Sequence, residues 1–141
     1  MSSPGPAEPT APRRRPLVLL DANALFLPGT VGFPLDAEIE RLVPGAHVAV
    51  AESVRRELER LVATGEPRAA LARTLATRYD AIAESSEGDE GVVACAARER
   101  AVVVTADRAL RARLLALGLD VLSPRDRHRL ERTRGRARDN G

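Results

Sequence analysis

A chain of 141 residues has room for one compact domain but not for two ordinary ones. Its 44% apolar content suits a globular core, but it has neither the run of roughly 20 apolar residues that a membrane span needs nor a second cysteine for an internal disulfide. The net charge of +2 is unevenly distributed, because an acidic body, residues 17–124, lies between two basic ends, residues 1–16 and 125–141.

The first predicted element of the body is a buried parallel strand. Residues 1–16 are rich in Pro, Ser and Ala and hold no apolar run, which predicts a disordered arm rather than a secretory signal peptide and hence a cytoplasmic protein. The wholly apolar run Leu17–Leu20 then predicts the strand. Pro28 and Gly29 are expected to stop any long helix after Asn23.

Helices and strands then alternate through residue 124. Helices are predicted at about 35–43, 52–63, 67–77, 89–100 and 107–117, and strands at 47–51, 81–83, 101–105 and 119–122. This alternation indicates an α/β domain with a parallel sheet covered on both faces. The basic tail, 125–141, has little beyond Leu130 to bury, so we expect a flexible arm, or one that RNA orders.

Four acidic residues are expected at the carboxyl ends of the strands, where open parallel sheets bind their ligands. Asp21 directly follows the first strand, and Asp107 follows the fourth within two residues. Asp89 begins the helix that leads into the fourth strand, and Glu57 lies on the helix after the second. These carboxylates, far apart in sequence, can therefore converge on one edge of the sheet.

Such a group of carboxylates calls for a cation, because like charges raise one another's pKa. Oxygen ligands match Mg²⁺ or Mn²⁺, and neither His47 nor His128 is expected at this edge, which disfavours zinc. Divalent ions held by acids can polarise a phosphodiester and lower the pKa of a bound water, so no covalent nucleophile is required.

Each acid also has a structural explanation that the residues alone leave open. Asp89 and Asp107 stand where helix N-caps are expected, and Asp21 suits a cap or a site equally. Glu57 could belong to an exposed charged helix face. The basic ends could contact phosphates, or they could reflect coding that favours Arg and be simply solvated.

Four segments around these acids resemble the motifs of PIN-domain proteins, in the family's order. They are LLDANALFLP (19–28), VAESVRREL (50–58), DEGVVACA (89–96) and VVVTADRAL (102–110). Within the family, Leu27-Pro28, the helix 35–42 and the closing segment 121–131 look most like archaeal relatives of the Fcf/Utp-type nucleases that process small-subunit rRNA precursors. Ala22 departs from the Thr often found there, which removes a hydroxyl but leaves the neighbouring acid intact.

The resemblance implies a three-layer PIN-like domain, with a five-stranded parallel sheet in the order 3-2-1-4-5 between helices. It implies a single-strand endoribonuclease that requires Mg²⁺ or Mn²⁺. The implied site has the ligands Asp21, Glu57, Asp89 and Asp107, the supporting residues Asn23, Thr105 and Glu90, and the RNA-binding residues Arg125, Arg127 and Arg129. Glu90 is placed among the supporting residues because neighbours on a helix point about 100° apart, and we favour Asp89 as the ligand.

The expected partner is RNA, either rRNA or tRNA, and the resemblance also suggests a homodimer. A VapC-type toxin shares the four acids and would need an antitoxin partner. A third hypothesis, from another class, is a non-catalytic RNA-binding assembly factor whose basic ends carry the function, because a fold does not fix an activity.

Overall fold

The computed structural model of the protein describes residues 15–136, so most of the predicted N-terminal arm and the last five residues lie outside the described part. The elements, in chain order, are β1 (Leu17–Leu20), α1 (Ala22–Val31), α2 (Leu35–Leu42), β2 (His47–Ala51), α3 (Glu52–Ala63), α4 (Ala69–Ala76), β3 (Asp80–Ile82), α5 (Gly88–Glu99), β4 (Val102–Val104), α6 (Arg108–Ala116), β5 (Val121–Pro124) and β6 (Leu130–Thr133). None of the helices in this part of the chain is long and apolar enough to cross a membrane.

The strands form one sheet in the order β3-β2-β1-β4-β5-β6. The first five strands are parallel, which confirms the predicted order 3-2-1-4-5. The sixth pairs with β5 in the antiparallel direction, so the sheet is mixed rather than wholly parallel. The α/β fold and its mostly parallel sheet are in line with the expected three-layer domain.

Strand β1 occupies the centre of the sheet because it can be buried on both faces. All four of its residues are apolar and buried, as a strand covered by helices on both sides requires. It pairs with β2 on one side and with β4 on the other. The chain therefore leaves β1 in one direction to form β2 and returns to its other side to form β4, which places a topological switch point between β1 and β4.

Helix α1 is longer than the sequence predicted. We expected Pro28 and Gly29 to stop it, but it continues to Val31 and ends at Gly32, whose φ of 67° is left-handed. An internal proline costs about 3 kcal/mol, so tertiary packing must offset it. Helix α1 packs on α4, where Gly29 lies against the exposed end of Leu71: a Cβ on Gly29 would fall 2.5 Å from Cδ2 of Leu71, so that side chain would have to move.

Strand β6 corrects the expectation that residues 125–141 form a flexible tail. Leu130 is buried, and both of its backbone polar groups bond to α2. Its N–H donates to Oε1 of Glu38 at 2.9 Å, and its carbonyl accepts from Nη2 of Arg41 at 2.9 Å. A further ion pair joins Arg132 to Asp120 at 2.8 Å. These partners are remote in sequence, so the local composition of the tail did not reveal the strand.

Candidate metal centre

The centre of the candidate site is Asp21, which lies at the switch point of the sheet. Its backbone N–H donates to the carbonyl of Val104 at 3.1 Å, so the residue directly extends the pairing of β1 with β4. Its side chain is only 5% exposed. Oδ1 accepts from the N–H of Ala22 at 2.8 Å, so Asp21 also caps α1, which was the alternative explanation for this residue.

Thr105 and Asn23 hold the second oxygen of Asp21. The Thr105 hydroxyl, which is fully buried, donates to Oδ2 at 2.8 Å, and Nδ2 of Asn23 donates to the same oxygen at 3.0 Å. Oδ1 of Asn23 in turn accepts from the N–H of Ala106 at 2.9 Å. The loop after β4 is thereby tied to the first turn of α1.

Asp107 is joined to this network through Thr105. Its N–H donates to Oγ1 of Thr105 at 3.0 Å, while its own Oδ1 accepts from the N–H of Leu110 at 2.9 Å. Asp107 is therefore the N-cap of α6, as the structural alternative proposed. Capping engages one oxygen, and Oδ2 of Asp107 accepts no hydrogen bond from residues 15–136.

Glu57 and Asp89 are brought to the site by the close packing of α3 on α5. Gly91 of α5 lies against Ser53 of α3, because a Cβ on Gly91 would fall 2.5 Å from the Ser53 hydroxyl oxygen. Ser53 is one turn before Glu57, and Gly91 is two residues after Asp89. Asp89 is not the N-cap of α5, because the helix begins at Gly88 and its N-cap is Glu87.

The charges of three of the acids act on one another. Burial raises the pKa of Asp21 to about 6; the hydrogen bonds from Thr105 and Ala22 oppose this rise, and the nearby Glu57 and Asp89 add to it. Burial also raises the pKa of Glu57, where Arg60 acts in the opposite direction and Asp89 adds to the rise. Asp21, Glu57 and Asp89 therefore share one region of negative potential.

Glu90 and His128 are two other titratable side chains near this edge of the sheet. Both carboxylate oxygens of Glu90 accept hydrogen bonds from Arg113, at 2.9 and 3.2 Å. This supports the choice of Asp89 over Glu90 as the ligand. His128, which we did not expect at this edge, lies in the turn after β5 and hence at the carboxyl end of that strand.

The carboxylate oxygens of the acids are suitable ligands for a divalent cation, but the side chains do not surround one point. Between residues 15 and 136, no three Asp, Glu, His or Cys side chains are grouped so that they could hold a metal ion as they stand. Glu57 and Asp89 form no hydrogen bond or ion pair with this part of the chain, so their oxygens are available as ligands. An all-oxygen donor set of this kind suits Mg²⁺ or Mn²⁺.

The comparisons with known proteins bear on the family and the fold of the chain. The family model described as a PIN-like domain matches residues 18–127. The chain belongs to the PIN-like domain family. Among solved structures, that of the PIN domain endonuclease Utp24 is similar to this PIN-like domain with a TM-score of 0.72 and 21% sequence identity, covering 86% of this chain and 96% of the other. No curated protein sequence matches the chain significantly.

Sequence reasoning missed two features that shape this PIN-like domain site. The contact between Ser53 and Gly91 had no signal in the pattern, although a glycine two residues after a predicted ligand could have suggested close helix packing. The role of Asp126 in the turn after β5 was also missed, although Asp followed by polar residues is a known turn signal.

Proposed function

We propose that this PIN-like protein is a divalent-metal-dependent endoribonuclease that cuts single-stranded RNA, with Asp21, Glu57, Asp89 and Asp107 as the metal ligands. The observation that carries the proposal is the position of Asp21, buried at the switch point and repelled by Glu57 and Asp89. A buried carboxylate without an ion-pair partner among residues 15–136 is unfavourable by itself. A bound cation would supply the missing charge.

Each residue of the site has a distinct task in this proposal. Mg²⁺ or Mn²⁺, when bound, would polarise the phosphodiester and lower the pKa of a water. Thr105 and Asn23 fix the Asp21 carboxylate, so that its lone pairs are oriented before any ligand arrives. Asp107 would present Oδ2 while Oδ1 keeps the cap on α6. Arg125, Arg127 and Arg129 would contact the RNA backbone.

We place the enzyme in rRNA processing rather than among toxins. The closing segment 121–131 resembles that of the rRNA-processing branch, and the likeness to the PIN domain endonuclease Utp24 supports the same branch. A toxin would arrest growth when expressed without an antitoxin, whereas an rRNA-processing enzyme would not. Expression in a heterologous host therefore separates the two roles.

The catalytic proposal is tested with single-stranded RNA, Mn²⁺ and purified variants. Asp21→Asn and Asp107→Asn are each expected to lower the cleavage rate by roughly 100-fold or more, because each removes a charge that must balance the metal. EDTA should abolish cleavage by the wild type. Glu90→Gln is the matched control, because it removes a neighbouring acid that binds Arg113, and it should retain activity.

An Asp21→Asn or Asp107→Asn variant that cuts RNA as fast as the wild type would contradict the proposal. One observation leaves room for an alternative, a non-catalytic RNA-binding factor: between residues 15 and 136 no three of the acids are grouped to hold a metal as they stand. That alternative predicts RNA binding that neither EDTA nor Asp21→Asn reduces, with no cleavage in Mn²⁺ by any variant.

A further inference from the structure

The turn between β5 and β6, residues 125–129, lies on the same edge of the sheet as the acids. Strands β1, β4 and β5 are parallel neighbours, and their register places Leu20 beside Val104 and Val104 beside Leu122. Adjacent strands are about 4.8 Å apart, so β5 is roughly 10 Å from β1 across the sheet. The turn follows β5 directly and therefore projects beside the loops that carry Asp21 and Asp107.

Asp126 gives this turn a defined shape. Its Oδ1 accepts from the N–H of His128 at 2.8 Å and from the N–H of Arg129 at 2.9 Å. The turn is closed by the N–H of Arg125, which donates to the carbonyl of Arg129 at 2.7 Å. The hydrogen bond from His128, followed by that from Arg129, lowers the pKa of Asp126. The carboxylate is thus an internal brace of the turn.

The end of the turn is fixed to the body of the protein. Leu130, the next residue, is buried and bonds through both backbone groups to Glu38 and Arg41 of α2. Glu38 and Arg41 also bind each other through two hydrogen bonds, at 2.8 and 3.1 Å. The turn is therefore held at both ends, by β5 and by this contact with α2.

The cations of the turn are available to a ligand. Residues 125–129 are all exposed, and the side chains of Arg125, Arg127 and Arg129 form no hydrogen bond or ion pair with residues 15–136. Several other arginines are engaged by carboxylates, among them Arg132 on Asp120 and Arg113 on Glu90. The three guanidinium groups of the turn favour an anionic ligand. Such a ligand can reach the neighbouring acids only where the proposed cation offsets their negative charge.

We propose that residues 125–129 form a pre-ordered turn that binds backbone phosphates of single-stranded RNA beside the cleaved bond, with Asp126 as the residue that positions its arginines. This inference rests on the proposed function, because the acids determine where the scissile phosphodiester lies. RNA is favoured over an acidic protein partner because the ligand must continue from the turn to the acids. Neighbouring phosphates of one strand meet that requirement.

Two substitutions with identical charge test the role of Asp126. Asp126→Ala removes both hydrogen bonds of the brace, whereas Asp126→Asn retains Oδ1 as an acceptor. Both variants raise the net positive charge by one, so charge alone predicts tighter RNA binding for both. If the shape of the turn matters, Asp126→Ala is expected to bind about 3- to 10-fold more weakly than Asp126→Asn, because its arginines must be ordered during binding.

The measurement is the affinity for a fluorescent single-stranded oligoribonucleotide in EDTA, across a salt series, with circular dichroism as a check of folding. The slope of log affinity against log salt should fall by about 0.7 for each phosphate contact that Asp126→Ala loses. Equal affinities of the two variants would overturn the inference, as would a wild type that binds an acidic protein but not RNA. Cleavage in Mn²⁺, measured separately, reports on the proposed nuclease activity, so the two failures are distinguishable.

Discussion

Asp21 shows how one side chain can connect stability to function. Its carboxylate has a usual pKa of 3.8, which rises to about 6 in the folded protein because burial disfavours the charge. The native state therefore holds the proton more tightly than the unfolded chain does. The unfavourable contribution is complete above pH 6, shrinks as the pH falls, and is absent below about pH 4.

We predict that Asp21→Asn is more stable than the wild type in EDTA at pH 7.5, since the amide keeps the shape of the side chain without its charge. The shift in pKa corresponds to at most ~3 kcal/mol, and lost hydrogen bonds will reduce the gain. Urea unfolding at pH 7.5 and pH 4 measures the difference, which should disappear at the lower pH. A variant that is less stable at pH 7.5 would show that the hydrogen bonds outweigh the charge.

The location of a site residue could be predicted where it depends only on the position of that residue in the sequence. Asp21 follows a strand, so its place at the sheet edge needed only the strand to be recognised. Asp89 differs, because the alternative explanation of it as an N-cap was wrong by two residues: the N-cap of α5 is Glu87. The orientation of Glu90 toward Arg113 depends on a contact between α5 and α6, which no local pattern contains.

At the scale of elements, the spacing of α3 and α5 sets the positions of Glu57 and Asp89. Gly91 permits that spacing, since an added Cβ would lie 2.5 Å from the Ser53 hydroxyl and 2.6 Å from the Ser86 carbonyl. The two helices can approach this closely only because residue 91 has no Cβ. The site therefore depends on a residue that has no polar side chain.

We predict that Gly91→Ala lowers the free energy of unfolding by about 1 to 3 kcal/mol, because overpacking exceeds the gain in helix propensity. It should also weaken Mn²⁺ binding, measured by calorimetry, because the helices must separate. Ser53→Ala is the control: its hydroxyl is buried without a partner among the described residues, so its loss should be tolerated. The double variant should recover only the part lost to the Ser53 hydroxyl, because the Ser53 Cβ and the Ser86 carbonyl remain 2.6 Å from the added Cβ. A fully stable Gly91→Ala would refute the argument.

Elements were predictable from the sequence when their own residues decide them. The runs of apolar residues in β1, β2 and β4 identify buried strands without further information. The end of helix α1 was predicted wrongly, because packing of α1 on α4 offsets the energetic cost of Pro28 inside the helix. Strand β6 was missed because its four residues include three polar ones, and its stability comes from Glu38 and Arg41.

At the scale of the whole molecule, β6 decides where the domain ends. The sequence suggested a boundary after residue 124, but Leu130 is buried in the same core as the other strands. The difference in charge between the body and the basic segment suggested a boundary that is not there. Arg132 and Arg134 form ion pairs with Asp120 of the body. Charge balance along a chain does not reveal such long-range pairs.

We predict that a chain shortened to residues 1–124 is less stable, by at least ~2 kcal/mol, than one shortened to residues 1–136. The longer form retains β6, whereas the shorter form exposes the surface that Leu130 covers. Thermal unfolding of the two forms compares them directly. Equal melting temperatures would mean that β6 contributes nothing to the folded state.

The central place of β1 also bears on how the molecule assembles. The first strand of the chain pairs on one side with His47–Ala51, but its other side must wait for Val102–Val104. Until most of the chain has been synthesised, one edge of β1 is therefore unpaired, and all the side chains of this strand are apolar. Because long-range pairings of this kind close slowly, we expect chaperone capture and translation speed to affect the yield of folded protein.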